Sequence, residues 1–292
     1  MLSILIPTHE YLCDELIGGL SKEAQTLVEE VEILVCSDAS SASFDESLRA
    51  RLDAIGDARV RFLQTGSHLG PARTRNLLVR ESRGELLLFI DADAQLAETG
   101  FLARHLEVAE RAEVVCGALR NPEAVAPGRE LRMSYEKAAE PKRRAEWRNR
   151  HPYENFTPFN VLIHRRVFDK LQFDERCTEY GYEDTLFGLQ LQERGISILH
   201  TDNALVHGGI DTNEEFLRKT ETALRTLSHL GEPVQSHTGA SRVCRRLKIL
   251  GLLPIFSAIF RIFKPLLRRN LTGRKPNLLF FKLYKLGYYA LI

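Results

Sequence analysis

The apolar positions of this chain fall into two periods. Residues 2–6, 31–36, 59–63 and 86–90 are short stretches rich in Leu, Ile, Val and Phe, of strand length. Between them, 16–30, 48–55 and 70–82 carry apolar side chains at helical spacing. Pro71 falls in the first turn of the last of these, where its missing N–H costs little. Strands alternating with helices in this way predict βαβ units and a parallel sheet flanked by helices. From Leu86 to Ile90 every position is apolar, which predicts a central strand buried on both faces. Three strands end in polar residues: Thr8, His9 and Glu10 after the first, Asp38 after the second, Asp91 and Asp93 after the fourth. Open α/β sheets bind ligands at the carboxyl ends of their strands, so these residues mark the expected crevice.

The second half alternates less regularly. Residues 100–112 have helical period and 113–118 are strand-like. Residues 129–150 mix Lys137, Lys142, Arg143, Arg144, Arg148 and Arg150 with four glutamates, which reads as a solvated helical face or a substrate-binding patch. Trp147 within it suits core packing or stacking on an acceptor. A strand at 161–164 and a short helix at 165–171 lead to the segment Tyr180, Gly181, Tyr182, Glu183, Asp184. Residues 185–194 then form a helix that Gly195 stops. A strand at 196–199, a run ending in His207, Gly208 and Gly209, and an amphipathic helix at 213–230 complete this half.

Several of these positions carry chemistry. Asp91 and Asp93 are two apart, so in extended chain their carboxylates face one side. Paired oxygen ligands suit Mg²⁺ or Mn²⁺, and such a cation binds a diphosphate. The alternative is a polar turn that ends a strand. Glu183 and Asp184 begin a helix, where acids gain about 0.3–1 kcal/mol from its dipole without any further role. His207 ends an apolar run and is either a structural histidine or a ligand.

Four motifs occur together in the first hundred residues: Ser3, Ile4, Leu5, Ile6, Pro7, Thr8; Glu32 through Ser40 with Ser37, Asp38, Ala39, Ser40 at its end; Gly70, Pro71, Ala72, Arg73, Thr74, Arg75, Asn76; and Phe89, Ile90, Asp91, Ala92, Asp93. In order and spacing they resemble family 2 glycosyltransferases of the GT-A fold. That resemblance implies a Rossmann-like, mostly parallel sheet flanked by helices. It implies that Pro7, Thr8, Glu10, Asp38, Arg75, Asn76, Asp91 and Ala92 line the nucleotide-sugar site. Asp91, Asp93 and His207 become the implied metal ligands, for Mn²⁺ or Mg²⁺. The family's Asp-Asp-Gly-Ser is here Ser37, Asp38, Ala39, Ser40, which retains the second aspartate and loses the first and the glycine. The Gly-x-Glu-Asp pattern at Gly181 to Asp184 resembles the acceptor-site motif, whose aspartate is the catalytic base; Asp184 takes that role here, with Glu183 beside it. The Gln-x-x-Arg-Trp motif of processive synthases is absent, so a single transfer is expected.

Charge changes the picture only at the end of the chain. Residues 241–292 hold 12 Lys and Arg and no Asp or Glu, leaving a net charge of −11 on residues 1–240. The apolar stretch 249–260, interrupted by Pro254, is too short to span about 30 Å of hydrocarbon. Cations beside Ile, Leu, Phe and Tyr describe helices lying on an anionic membrane surface. A capping or dimerising helical pair is the rival, and nucleic acid the least suited partner. The expected organisation is a catalytic domain over 1–232, with a nucleotide-sugar half (1–100) and an acceptor half (101–232), followed by a membrane-associating tail at 241–292. Five scattered cysteines with no C-x-x-C pair suit reduced thiols, and no signal peptide is evident. The expected place is therefore the cytoplasmic face of the cell membrane.

These readings converge on an inverting, metal-dependent transfer of a sugar, with UDP-sugar as the expected donor. The acceptor is a hydroxyl of a glycan or lipid-linked molecule in envelope polysaccharide synthesis. A sugar nucleotidyltransferase would carry a Gly-rich basic loop after the first strand, which Pro7, Thr8, His9 and Glu10 do not form. A catalytically inactive membrane-bound scaffold is the other alternative.

Overall fold

A computed structural model describes residues 1–292, apart from the side chains of Pro233 and His237. Four strands, β1 (Leu2–Thr8), β2 (Val31–Ser37), β3 (Val60–Gln64) and β4 (Leu86–Ile90), pair in parallel in the order β3-β2-β1-β4. The helices α1 (Asp14–Ala24), α2 (Ala42–Ile55) and α3 (Pro71–Glu81) connect them. This is the alternation read from the periodicity. α1 stops at Ala24 rather than 30, and α2 begins six residues before the apolar pattern does, behind Ser41 in extended conformation.

The other half of the sheet is mixed. β5 (Ala94–Leu96), β6 (Val114–Arg120), β7 (Asn160–His164) and β8 (Ile198–His207) extend the order to β3-β2-β1-β4-β7-β6-β8-β5. β7 runs antiparallel to both β4 and β6, β6 and β8 are parallel, and β5 is antiparallel to β8. The parallel sheet expected from βαβ units therefore holds for the first four strands. The segments read as 196–199 and 204–209 are one strand, β8. The helices here are α4 (Phe101–Val108), α5 (Glu130–Ala139), α6 (Ala145–Arg148), α7 (Arg165–Phe168), α8 (Glu183–Glu193) and α9 (Asn213–His229). The charged stretch 129–150 is mostly solvated, but Arg148 departs from that reading. It is buried and donates to the carbonyls of Gly117, Arg143 and Thr201 and to His200 Nδ1.

The chain folds into two compact units. Residues 1–122, 141–178 and 183–209 form the first, which contains the sheet; residues 123–140, 179–182 and 210–292 form the second. In the first, Leu2, Ile4, Ile6, Ile33, Val35, Leu88 and Ile90 from the sheet pack against Ile17 and Leu20 of α1, Leu48 of α2 and Phe101 of α4. All five cysteines are buried free thiols, and burial pushes Cys13, Cys36 and Cys116 up to about 12.

The second unit adds α10 (Glu232–His237), α11 (Gly239–Ile249), α12 (Leu253–Leu271) and α13 (Leu278–Tyr289). The division between units falls after Gly209 rather than in 232–241, because the last helices share a core with α5 and α9. Leu131, Phe216 and Leu217 pack there with Phe260, Leu267, Leu271, Phe281 and Tyr284. Gly287 lets α13 approach α12, since a Cβ there would fall inside the Phe260 ring. Among the described residues, no helix is long and apolar enough to cross a membrane.

Candidate active site

β4 ends at Ile90 and the chain turns at once, Ala94 N donating to Asp91 O at 3.0 Å. The turn is pinned to its neighbours: Asp91 N donates to Phe159 O at 3.2 Å and Gly208 N to Asp93 O at 2.8 Å. β5 then pairs Ala94 with His207 on β8. That register sets His207 Nε2 3.1 Å from Asp93 Oδ2, although 113 residues separate them in the chain. Gly208 and Gly209 permit the approach, since a Cβ on Gly209 would overlap the Asp93 carboxylate.

Asp91 faces a different partner. Its Oδ1 accepts from Arg75 Nη2 at 2.7 Å, and Arg75 Nη1 lies 3.8 Å from Glu183 Oε1. Arg75 sits on α3 and is 5% exposed. One guanidinium thus joins the end of β4 to the start of α8. Its Nε and Nη1 are buried and make no hydrogen bond, a costly state for a charged donor. The wall behind it is aromatic: Arg75 Cζ is 5.8 Å from the Phe173 ring, which stacks on Phe187 at 4.3 Å, with Phe156, Phe168 and Phe89 around them. Gly188 brings α8 against the backbone of Tyr153, where a Cβ would meet a carbonyl oxygen.

Asp184 follows Glu183 at the start of α8 and is half-buried. Its Oδ1 accepts from Thr185 N at 2.6 Å and from the Thr185 hydroxyl at 3.2 Å. Burial raises its pKa above the ordinary carboxylate range, against the pull of those bonds and of Arg75. A carboxylate held part-way out of water holds a proton more readily than a free aspartate, which suits proton transfer.

The edge beyond β1 and β2 is built by Asp38. Its carboxylate accepts from Leu69 N at 2.7 Å, Gly70 N at 2.9 Å and the Thr65 hydroxyl at 3.1 Å, and lies 3.1 Å from His68 Nδ1. Asp38 therefore folds the loop that delivers α3, and Gly70 packs against the backbone of Thr178 at a positive φ. His9 Nδ1 is 2.8 Å from Asp38 O, and the His9 and His68 rings stand 5.5 Å apart. Pro7 and Thr8 end β1, with the Thr8 hydroxyl donating to Tyr11 O; Glu10, at positive φ, accepts from Ser41 N. Asn76 is turned the other way, bonded in both directions to the Phe173 backbone, and Ala92 is buried in the turn. Trp147 is half-buried beside Lys142 and His151.

The metal implied by the resemblance finds two donors. Among the described residues, no three His, Cys, Asp or Glu side chains converge on one point. Asp93 and His207 do converge, at 3.1 Å. With ligands about 2.1 Å from the metal, adjacent positions of an octahedral Mg²⁺ or Mn²⁺ lie about 3 Å apart, so the pair fits two such positions. Diphosphate and water complete sites of this type. Asp91, engaged by Arg75, stands outside the pair.

A cavity of about 550 Å³ at the amino ends of β1 to β3, lined by Glu32, Arg59, Arg61 and Arg83, lies at the opposite edge from this chemistry. Its arginines are matched by Asp57 and Glu32. Sequence reasoning missed His68 and the phenylalanine wall, and gave no role to the two glycines after His207. Only the Gly-Gly pair left a signal, because adjacent glycines after a strand mark a close backbone approach.

The sequence profile described as Glycosyl transferase family 2 matches residues 3–172. An uncharacterized glycosyltransferase, YfnE of Bacillus subtilis (strain 168), is 33% identical over 123 residues, which are 39% of this chain and 29% of that protein. The chain thus matches under a third of that relative's length. The mannosyltransferase PcManGT from Pyrobaculum calidifontis, solved with GDP-Man and Mn²⁺, superposes with a TM-score of 0.60 at 14% identity, over 99% of this chain and 84% of that one. Residues 1–349 of TarS from S. aureus superpose at 0.52 with 16% identity, over 99% and 89%. The same TarS fragment with UDP-GlcNAc superposes at 0.50 with 15% identity, again over 99% and 89%. At these identities the solved structures show a shared fold.

Proposed function

The chain belongs to glycosyltransferase family 2, and from that premise we propose that its crevice moves a sugar from a nucleotide-diphosphate donor to an acceptor hydroxyl, with inversion. One observation carries the reading: Arg75 touches both Asp91 and Glu183. The donor-side turn and the acceptor-side helix, nearly a hundred residues apart in sequence, meet in one place.

Asp184 takes the proton as the acceptor oxygen attacks the anomeric carbon. The bond from that carbon to the diphosphate oxygen breaks on the opposite face, and the nucleoside diphosphate leaves. A single displacement inverts the centre and needs no covalent enzyme intermediate. Positive charge developing on the sugar ring resembles that of glycoside hydrolysis. Asp93 and His207 would hold a divalent cation, which supplies charge neutralisation to the leaving diphosphate. Arg75 holds Asp91 and Glu183 in fixed positions.

UDP-sugar is the proposed donor, supported by retention of Asp38 and by the UDP-GlcNAc seen in TarS. GDP-Man in PcManGT makes the base a point to test. The proposed acceptor is a glycan or lipid-linked hydroxyl of the cell envelope. Attachment of 241–292 to the inner face of the membrane belongs to the same reading.

Donor hydrolysis tests the chemistry without a known acceptor. UDP- and GDP-sugars are incubated with the protein and Mn²⁺, Mg²⁺ or EDTA, and release of nucleoside diphosphate is measured. Metal-stimulated release from a UDP-sugar is expected. No binding or release with any donor would favour an inactive scaffold of the same fold.

A further inference from the structure

The last helices divide their apolar residues between two faces. On α12, Phe260, Leu267 and Leu271 are buried in the core shared with α5 and α9, and Ser257 is buried on the same side. Ile255, Ile259, Ile262, Phe263 and Leu266 follow at spacings of 4, 3, 1 and 3 residues, forming one stripe on the other side. These five side chains are half to three-quarters exposed. At the corner before α12, Ile249, Leu250 and Leu252 are exposed too, and on α13 so are Leu279 and Leu283. An exposed apolar stripe along one helix face marks an interaction site.

Charge identifies the partner. Arg269 borders the stripe and Arg261 is exposed on the same helix, and Arg246, Lys248 and Lys282 stand beside the corner and α13 residues. Of the twelve cations in 241–292, Arg245 and Arg268 alone form ion pairs with carboxylates among the described residues, those of Glu232, Glu214 and Glu221. A second copy applied to this face would bring these cations together with no acid to match them. An anionic bilayer matches both features, with lipid phosphates meeting the arginines and the acyl boundary taking the aliphatic stripe.

We propose that α12 lies in the plane of an anionic membrane, inserting Ile255, Ile259, Ile262, Phe263 and Leu266, while its opposite face stays docked in the protein core. The inference rests on the reading of the tail as membrane-attached and is independent of the transfer chemistry. It assigns the attachment to one face. At 19 residues α12 is about 28 Å long, so the contact is a line of side chains rather than a span.

The test is flotation of the full chain with vesicles of phosphatidylcholine alone or with about 30 mol% of the anionic lipid phosphatidylglycerol. Binding to the anionic vesicles and little to the neutral ones is expected. Arg261→Gln with Arg269→Gln removes two surface cations and should weaken partitioning about 25-fold, about 5-fold for each. Ile259→Asp with Phe263→Asp should weaken it roughly 100-fold. Both sites are exposed, so unchanged thermal unfolding verifies that the variants fold. A folded Asp variant that floats like the wild type overturns the face assignment, even if the tail attaches elsewhere. A chain that ignores both vesicles and sediments as a dimer broken by the same substitutions overturns the membrane in favour of a second copy. Donor hydrolysis is measured in parallel, and its loss or retention bears only on the chemistry.

Discussion

Arg75 carries its charge in a position almost closed to water, and Asp91 and Glu183 are what make that tolerable. A buried cation needs an acid beside it, because a charge left uncompensated in the interior costs several kcal/mol. Glu183 is therefore a partner of Arg75, and in the proposed mechanism Asp184 is the acid left for proton transfer. Asp184→Asn is expected to cut transfer by about 10²–10⁴-fold with donor binding unchanged, as measured by single-turnover transfer and by calorimetry with UDP. Near-normal transfer in the variant removes Asp184 from the mechanism. In the proposed mechanism the base works deprotonated, so activity is expected to rise with pH as Asp184 loses its proton. Because burial raises that pKa, the acid limb of kcat/KM should lie above the ordinary aspartate value of about 3.9. Asp93→Asn breaks the donor pair with His207, and should abolish the Mn²⁺ dependence of UDP binding while leaving unfolding unchanged. Equal Mn²⁺-dependent affinity in variant and parent would exclude Asp93 as a ligand.

At the scale of elements, two buried histidines tie helices to the sheet. His105 of α4 is fully buried with Nε2 2.9 Å from Asn160 Oδ1 on β7. His200 of β8 accepts from Arg148 of α6 at 2.9 Å, which leaves its Nε2 to donate to Pro152 O. Burial pushes both down to about 4. The unfolded chain binds protons at about 6.5, so between pH 6.5 and 4 it holds more protons than the folded one. Their stabilisation is complete above pH 6.5 and is lost as pH falls toward 4, at up to about 1.4 kcal/mol per pH unit for each. The urea midpoint should fall clearly from pH 7 to pH 5. A flat midpoint across that range would show that both histidines become charged without cost.

At the scale of the whole molecule, the tail shares a core with α5 and α9 inside the second unit. Phe260, Phe281 and Tyr284 pack with Phe216 and Leu217, and the Tyr284 hydroxyl donates to Glu221 at 2.5 Å. Burying each large apolar side chain contributes about 1.5–3 kcal/mol, and a domain's total margin is about 5–15 kcal/mol. Deleting 241–292 should therefore yield an aggregating or poorly folded chain rather than a clean catalytic fragment. Soluble yield and cooperativity of thermal unfolding measure this. A soluble, cooperatively unfolding truncation would show that α5 and α9 hold together without α12 and α13.

The sequence alone determined the first four strands, their polar ends with Asp91 and Asp93, and Asp184 at the start of a helix. Period and strand-end chemistry are local, and local patterns are written in consecutive residues. Profile membership followed from the same segments, within residues 3–172. Tertiary structure decided what depends on distant register. The β5–β8 pairing brings His207 to Asp93, β7 inserts antiparallel beside β4, and one guanidinium spans from Asp91 to Glu183. It also decided the tail, where an amphipathic period cannot say which partner a face meets. α12 has apolar residues on both sides, and only packing shows that Phe260 and Leu267 turn inward while Ile259 and Ile262 stay in solvent. Helical period specifies a face, and the rest of the molecule specifies what covers it.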